Sequence, residues 1–167
     1  EDLEKTIMGH FESELICHRE EITPSHYMYK SLTKSWDPII KWINETYQIK
    51  LKVFDSDADF ADDGMQTEAM EAFTKHILPE LKKDDHLLVV FHSMVEVLGS
   101  VVTAWALYKG FLTTDKAVHA VQLPIREQSK AFGFVQGEHD VTFAEQKCKL
   151  SSCTLFLHLA KNRQEMV

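Results

Sequence analysis

The sequence is poor in the residues and motifs that mark disulfide, metal or catalytic chemistry. Its three cysteines, Cys17, Cys148 and Cys153, cannot form a complete set of pairs in a chain of 167 residues. They favour a reducing compartment such as the cytosol or an organelle matrix. It has no glycine-rich phosphate loop, nucleophile elbow or Cys-x-x-Cys pair. We therefore expect a protein that is not an enzyme and binds no cofactor.

Positive charge is also scarce. The chain has 18 Lys and Arg against 26 Asp and Glu, and its formal net charge is -8. Contacts with phosphate need Lys and Arg in excess, so we expect no direct binding to nucleic acid. At this length the chain can bury about 70% of its unfolded surface in one domain without a disulfide or metal.

The longest apolar stretch, residues 87–112, reads LLVVFHSMVEVLGSVVTAWALYKGFL. Its apolar side chains fall on almost every side of a helix, which is typical of a membrane span or of a helix enclosed by other helices. His92 and Glu96 lie inside it, and an ionisable group at the middle of a bilayer costs a few kcal/mol. We therefore predict a central buried helix over about 86–109, ended by Gly110, and no membrane span.

The rest of the chain is predicted to be mostly α-helical and to pack around this central helix, with minor extended segments. Apolar residues recur at helical spacing in 3–14, 24–33, 38–47, 66–82, 113–124 and 141–163. Residues 15–17 and 49–53 are predicted to be extended. Prolines are predicted to start helices at Pro24 and Pro38, to kink one at Pro79 and to end or bend one at Pro124. The predicted inward-facing residues include Tyr27, Phe91, Leu98, Val101, Leu155, Phe156 and Leu159.

Three groups of residues could carry metal or acid–base chemistry. The acidic loop 55–64 has Asp at the first, third and fifth positions of a calcium loop, but Phe60 replaces the glycine that makes the turn and Gln66 replaces the closing Glu. We interpret it as a solvated loop. His92 and Glu96 share a helix face, but no second Glu-x-x-His pair completes a dimetal site, so we favour a hydrogen-bonded pair.

Cys148, Cys153 and His158 are spaced by five residues. Each such step turns a helix by about 140°, so the three side chains do not share a face. We predict no metal site there and interpret Cys153 and His158 as core or boundary residues.

Several stretches, taken in order, resemble one protein family. They are ICHR at 16–19, WDPIIKW at 36–42, LGSVV at 98–102, GFLT at 110–113, AV at 117–118, Gln128, FG at 132–133, HD at 139–140 and TLFLHL at 154–159. The family is the mitochondrial assembly chaperone for the alpha subunit of the ATP synthase catalytic head, also named ATP synthase assembly factor 2. The resemblance covers roughly residues 15–159, and the ordered set carries it rather than any single motif.

The resemblance implies that residues 1–167 form a single helical domain similar to the C-terminal domain of that family, without the family's N-terminal β-rich domain. It also implies a chaperone of the mitochondrial matrix. Such a chaperone holds a free alpha subunit by the surface that later packs against its neighbour in the ring. A surface of that kind is an apolar patch that aggregates if left open.

The run LPIREQ at 123–128 departs from the family, whose members carry acids there and a Trp where this chain has Phe132. An alternative therefore stays open, namely a diverged member that is a structural subunit or assembly factor of another large mitochondrial complex, such as the mitochondrial ribosome. Because Pro124 should make the next residues project from the bundle, and because they mix charge with an aromatic, we predict the partner site there. The predicted site residues are Arg126, Glu127, Gln128, Lys130 and Phe132.

We expect chelators to change neither the folding nor the binding of the protein, because the sequence shows no complete set of metal ligands. Circular dichroism and partner capture before and after EDTA treatment measure this. Stoichiometric zinc, iron or calcium that is lost together with structure on chelation would contradict the prediction.

Overall fold

The computed structural model describes residues 2–19, 27–54 and 66–165, and over these residues the protein is a bundle of α-helices. The helices are α1 (Asp2–Glu12), α2 (Tyr27–Tyr47), α3 (Thr67–His76), α4 (Leu78–Leu81), α5 (Asp85–Leu98), α6 (Val101–Tyr108), α7 (Thr114–Phe132) and α8 (His139–Glu165). The predicted fold class, mainly α, is confirmed. The acidic loop 55–64 and the predicted helix start at Pro24 lie outside the described residues.

The predicted central helix is two helices, α5 and α6. α5 ends because Gly99 adopts a left-handed conformation with φ of 61°. Ser100 then has extended backbone and caps α6, since its hydroxyl accepts the N–H of Thr103 at 3.0 Å. The prediction of one helix over about 86–109 is therefore wrong at this joint. Gly110, with φ of 76°, follows the end of α6 as predicted.

Burial is greatest where it was predicted. All eight side chains of α6 are buried, and Phe91, Leu98 and Val101 are 0%, 3% and 0% exposed. The Trp105 ring lies 5.8 Å from that of Phe91 in an edge contact. No helix in the described ranges is both long and apolar enough to cross a bilayer.

The surrounding helices enclose this pair. α8 packs on α5 and α7, α2 packs on α6 and α7, and α1 packs on α5. α2 and α7 are joined inside the core, where the Trp36 indole N–H donates to the carbonyl of Ala120 at 2.8 Å. Thr113 caps α7, because its hydroxyl accepts the N–H of Lys116 at 3.4 Å.

A buried carboxylate holds the joint between α5 and α6. Glu14 is 0% exposed and accepts the N–H groups of Val101 at 2.9 Å and Val102 at 3.2 Å. It also accepts the hydroxyl of Ser100. The first N–H groups of a helix have no partner inside it and favour a negative charge, so Glu14 satisfies the N-terminus of α6. Burial raises the pKa of Glu14 to about 7, although these hydrogen bonds lower it.

The prolines have weaker effects than predicted. α2 runs through Pro38, so the predicted helix start there is wrong. α7 continues through Pro124 to Phe132, so of the two predicted effects of Pro124, to end or to bend the helix, the first does not occur. Pro38 is exposed, so the carbonyl that it leaves without a partner lies on a side of α2 that faces water. A break does occur at Ile77, before Pro79, as predicted.

Several inward-facing residues and extended segments were also predicted wrongly. Tyr27 is 46% exposed, and Leu155, Phe156 and Leu159 are 58%, 41% and 58% exposed. In α8 the bundle instead covers residues such as Leu157, because α5 and α7 contact only one side of this helix. Residues 15–17 form a 3₁₀ turn rather than an extended segment. Residues 49–53 form no strand, and an isolated parallel bridge joins Phe54 to His18.

Phe91→Ala should lower the free energy of unfolding by about 3–5 kcal/mol, because it opens a cavity at a fully buried aromatic. Urea unfolding measures the change. Val89→Ala is the matched control, since Val89 lies on the same helix and is 49% exposed; its effect should stay within about 0.5 kcal/mol. Wild-type stability of the Phe91 variant would mean that this part of the core is wrongly placed.

The stability of the wild-type protein should fall as pH rises from about 4.5 to about 7 because of Glu14. The folded state binds the Glu14 proton more tightly than the unfolded state, so this stabilisation is present at low pH and is lost as pH passes the folded pKa of about 7. The stabilisation lost is a few kcal/mol, because each pKa unit between the folded and unfolded states corresponds to about 1.4 kcal/mol. Urea unfolding at pH 5, 6, 7 and 8 measures it.

Glu14→Gln should flatten this dependence, because an amide does not titrate. Glu12→Gln is the control, since Glu12 is an exposed carboxyl two residues away at the end of α1. An unchanged pH dependence in the Glu14 variant would show that Glu14 keeps an ordinary pKa in the folded protein.

Candidate functional site

The predicted partner residues lie at the C-terminal end of α7, next to the turn into α8. The loop 133–138 begins at Gly133, whose φ of 98° ends α7, and contains Gly137 with φ of 83°. The carboxylate of Asp140 accepts the N–H of Gly137 at 2.7 Å, which ties the loop to the start of α8. Glycine at both positions fits the positive φ that the backbone needs there.

Arg126 is exposed but firmly held. Its Nε and Nη2 atoms donate to Oε1 of Gln122 at 3.1 and 2.8 Å, and its guanidinium carbon lies 4.4 Å from the centre of the Phe143 ring. Gln122 is itself fixed, because its amide nitrogen donates to Gln146 Oε1 at 2.8 Å. The amide nitrogen of Gln146 in turn donates to the carbonyl of Val97 at 3.2 Å. A relay of two amides therefore anchors Arg126 to the core helix α5.

Glu127 points inward, contrary to the prediction that the residues after Pro124 project from the bundle. It is 3% exposed, and both carboxylate oxygens accept hydrogen bonds from Lys130 Nζ at 2.7 Å. The reason is that α7 stays helical through Pro124, so Glu127 lies four residues after Leu123 on the same buried face. Glu127 holds Lys130 in place rather than facing solvent.

Apolar side chains are exposed on the outward face at this end of α7. Ile125, Gln128 and Phe132 are three and four residues apart and share one side of the helix. Ile125 is 42% and Phe132 is 89% exposed, and Phe134 and Val135 in the following loop are each 50% exposed. We name these four apolar residues (Ile125, Phe132, Phe134 and Val135) the terminal patch.

A groove of about 380 Å³ lies between α7 and α8 next to the terminal patch. Its lining includes Arg126, Glu127, Lys130, Phe134 and Phe143. The ring centres of Phe134 and Phe143 lie 6.3 Å apart, and these two rings form the aromatic side of the groove. We name this the α7–α8 groove.

Arg126 and Lys130 of this groove were predicted from the sequence, but three of its supporting residues, Gln122, Phe134 and Phe143, were not. A role for Gln122 could have been predicted from the sequence, because it is a polar residue among the apolar positions that α7 turns inward. Phe143 is half-buried under Arg126.

Two of the other candidate groups lie within the described residues, the pair His92 and Glu96 and the set Cys148, Cys153 and His158. Glu96 Oε1 lies 3.0 Å from His10 Nε2 and 3.9 Å from His92 Nε2, so its hydrogen-bond partner is His10 of α1 and the predicted pair with His92 is wrong. Cys148 and His158 are exposed and Cys153 is half-buried. Over the described ranges, no three His, Cys, Asp or Glu side chains are arranged to hold a metal ion.

No family model matches the sequence. Among solved structures, Atp12 from Paracoccus denitrificans superposes with a TM-score of 0.73 at 16% identity, covering 95% of this chain and 64% of that one. The chain has the fold of Atp12. A point mutant of that protein gives 0.74, again at 16% identity and with the same two coverages. The protein Atu1473 of Agrobacterium tumefaciens, described as a candidate chaperone, gives 0.72 at 21% identity over 93% of this chain and 55% of that one.

The likeness to Atp12 is one of fold, and at that level it confirms the resemblance drawn from the sequence motifs. The chain spans less than two thirds of the length of each of these structures. The described helices therefore match a part of Atp12, and the shared part includes the helices that form the α7–α8 groove, since 95% of this chain is covered.

Proposed function

We propose that the protein is a non-enzymatic assembly chaperone of the mitochondrial matrix that binds the alpha subunit of the ATP synthase catalytic head. The Atp12 fold supports an assembly role. The ordered motifs, from WDPIIKW at 36–42 to TLFLHL at 154–159, support this client. Binding alone suffices for such a function, with no covalent step or cofactor.

The observation that carries the proposal is the exposure of Phe132. An aromatic side chain that is 89% exposed at the end of a helix gains nothing from the fold of its own chain. Aromatic residues are enriched at the buried centres of protein interfaces, where they contribute most of the binding energy. With its neighbours in the terminal patch, Phe132 offers an apolar surface suited to a client that exposes a matching apolar interface.

The proposed contact residues are Arg126, Gln128, Lys130 and Phe132, together with the rest of the terminal patch. Glu127 contributes differently from the sequence-based expectation. Its buried carboxylate fixes the Lys130 ammonium at 2.7 Å, so it positions a contact residue instead of meeting the client itself.

A second candidate is an assembly factor or structural subunit of another large mitochondrial complex, such as the mitochondrial ribosome. The run LPIREQ at 123–128 favours it. The family that the sequence resembles carries acids in this run, whereas the charged residue that faces outward here is Arg126. Native co-purification with mass determination separates the two. A transient one-to-one complex with the alpha subunit supports the first, and stable recovery in a large particle supports the second.

Phe132→Ala should weaken binding to the purified alpha subunit by more than about tenfold, or 1.4 kcal/mol, because it removes the most exposed aromatic of the terminal patch. Its melting temperature should stay unchanged, since Phe132 is 89% exposed in the free chain. Calorimetric titration measures the affinity.

The matched control is Val89→Ala, which truncates an exposed apolar residue of α5 away from the end of α7. It should bind as the wild type does. If the folded Phe132 variant captures the alpha subunit with unchanged affinity, the contact lies on another surface.

A further inference from the structure

We propose that the α7–α8 groove binds an acidic–apolar segment of its protein partner, in which a carboxylate pairs with Arg126 and a neighbouring apolar side chain lies on Phe134 and Phe143. The proposal deepens the proposed function by naming the chemistry of the bound segment, and it rests on that function in taking the partner to be a protein. The α7–α8 groove includes Arg126 and Phe143, which are not part of the terminal patch.

The charge of Arg126 is not balanced by an acid in the part of the chain that the structure describes. Its recorded contacts are a neutral amide oxygen of Gln122 and the face of the Phe143 ring. By contrast, the nearby Lys130 is balanced by both oxygens of Glu127. The groove therefore presents one uncompensated positive charge, and a carboxylate is its natural partner.

The shape of the Arg126 guanidinium, as well as its charge, suits a carboxylate. A guanidinium has five N–H donors in a fixed planar fork and can bind both oxygens of a carboxylate at once. The bonds to Gln122 use Nε and one side of Nη2. The edge formed by Nη1 and Nη2 keeps N–H groups for a bidentate contact.

Arg126 is also held in place before any partner arrives. The amide relay through Gln122 and Gln146 to the backbone of Val97, and the stacking on Phe143, fix a side chain that is otherwise flexible. Gln122, the residue that holds the guanidinium, is itself 1% exposed. Fixing a side chain in advance lowers the entropy lost on binding, which is how a single charged contact becomes selective.

The apolar half of the segment has a surface directly beside this charge. Phe134 is 50% exposed, and its ring centre lies 6.3 Å from that of Phe143, which carries the guanidinium on its face. An apolar side chain next to a carboxylate would cover Phe134 while the carboxylate meets Arg126. A basic segment would meet the same guanidinium with repulsion, so the groove discriminates by sign.

The test uses the full chain labelled with ¹⁵N and titrated in NMR with acetyl-Glu-Phe-Glu-Leu-amide. The control probe is acetyl-Gln-Phe-Gln-Leu-amide, which has nearly the same shape without charge. The acidic peptide should bind at least tenfold more tightly, with its largest shifts at the Nε–H of Arg126 and at the backbone of Ser129, Phe134 and Phe143. Equal affinities, shifts elsewhere, or no saturable shifts at millimolar peptide would overturn the proposal.

Variants of Arg126 make the test specific to its charge. Arg126→Gln should abolish the preference for the acidic peptide, and Lys149→Gln, which removes one exposed cation of α8 outside the groove lining, should leave it intact. Arg126→Lys keeps the charge without the planar fork and should retain a reduced preference; it also serves if the Gln variant does not fold. A preference that survives in folded Arg126→Gln would refute the assignment.

Failure of this proposal and failure of the proposed function are distinguishable. If the alpha subunit is not captured but the peptide preference follows the charge of Arg126, the client is wrong and the chemistry of the groove stands. If the alpha subunit is captured but the acidic and amide peptides bind equally, the client stands and this inference is wrong.

Discussion

The architecture depends on one buried interaction, between the carboxylate of Glu14 and the N-terminus of α6. The chain must turn at Gly99 and Ser100, and that turn leaves the first N–H groups of a helix inside the core, away from water. An unsatisfied N–H group there would cost about 1–3 kcal/mol. Glu14 accepts those of Val101 and Val102 at 2.9 and 3.2 Å and so makes the turn compatible with burial. Because Glu14 follows α1, the same contact fixes the first helix against the central pair.

Much of the fold could be predicted from the sequence because apolar spacing records which side of a helix is buried. The spacing located α1, α7 and α8 and the burial of Phe91, Leu98 and Val101. It could not reveal the joint at Gly99, since a stretch that is apolar on all sides gives the same pattern whether it is one helix or two. The decisive information lay eighty-odd positions earlier in the chain, in Glu14, and a tertiary contact of that kind leaves no local pattern.

The candidate site, like the fold, could be predicted from the sequence only in part. Its proposed location at the end of α7 came from a mixture of charged and aromatic residues, among which Phe132 is 89% exposed. The direction in which each side chain points could not be predicted from the sequence, because it depends on whether α7 continues as a helix beyond Pro124. Since the helix continues, Glu127 is carried to the inward face, and both Glu127 and Arg126 line the groove. The relay that fixes Arg126 needs Gln146 from α8 and the Val97 carbonyl of α5, so only the assembled bundle contains it.

The complete burial of α6 has a consequence for the motions of the protein. A helix of eight residues is too short to persist alone in water, and each of its side chains is covered by another element. Its amide protons are therefore buried among the surrounding helices. Hydrogen exchange at Trp105 and its neighbours should thus report the opening of the whole bundle.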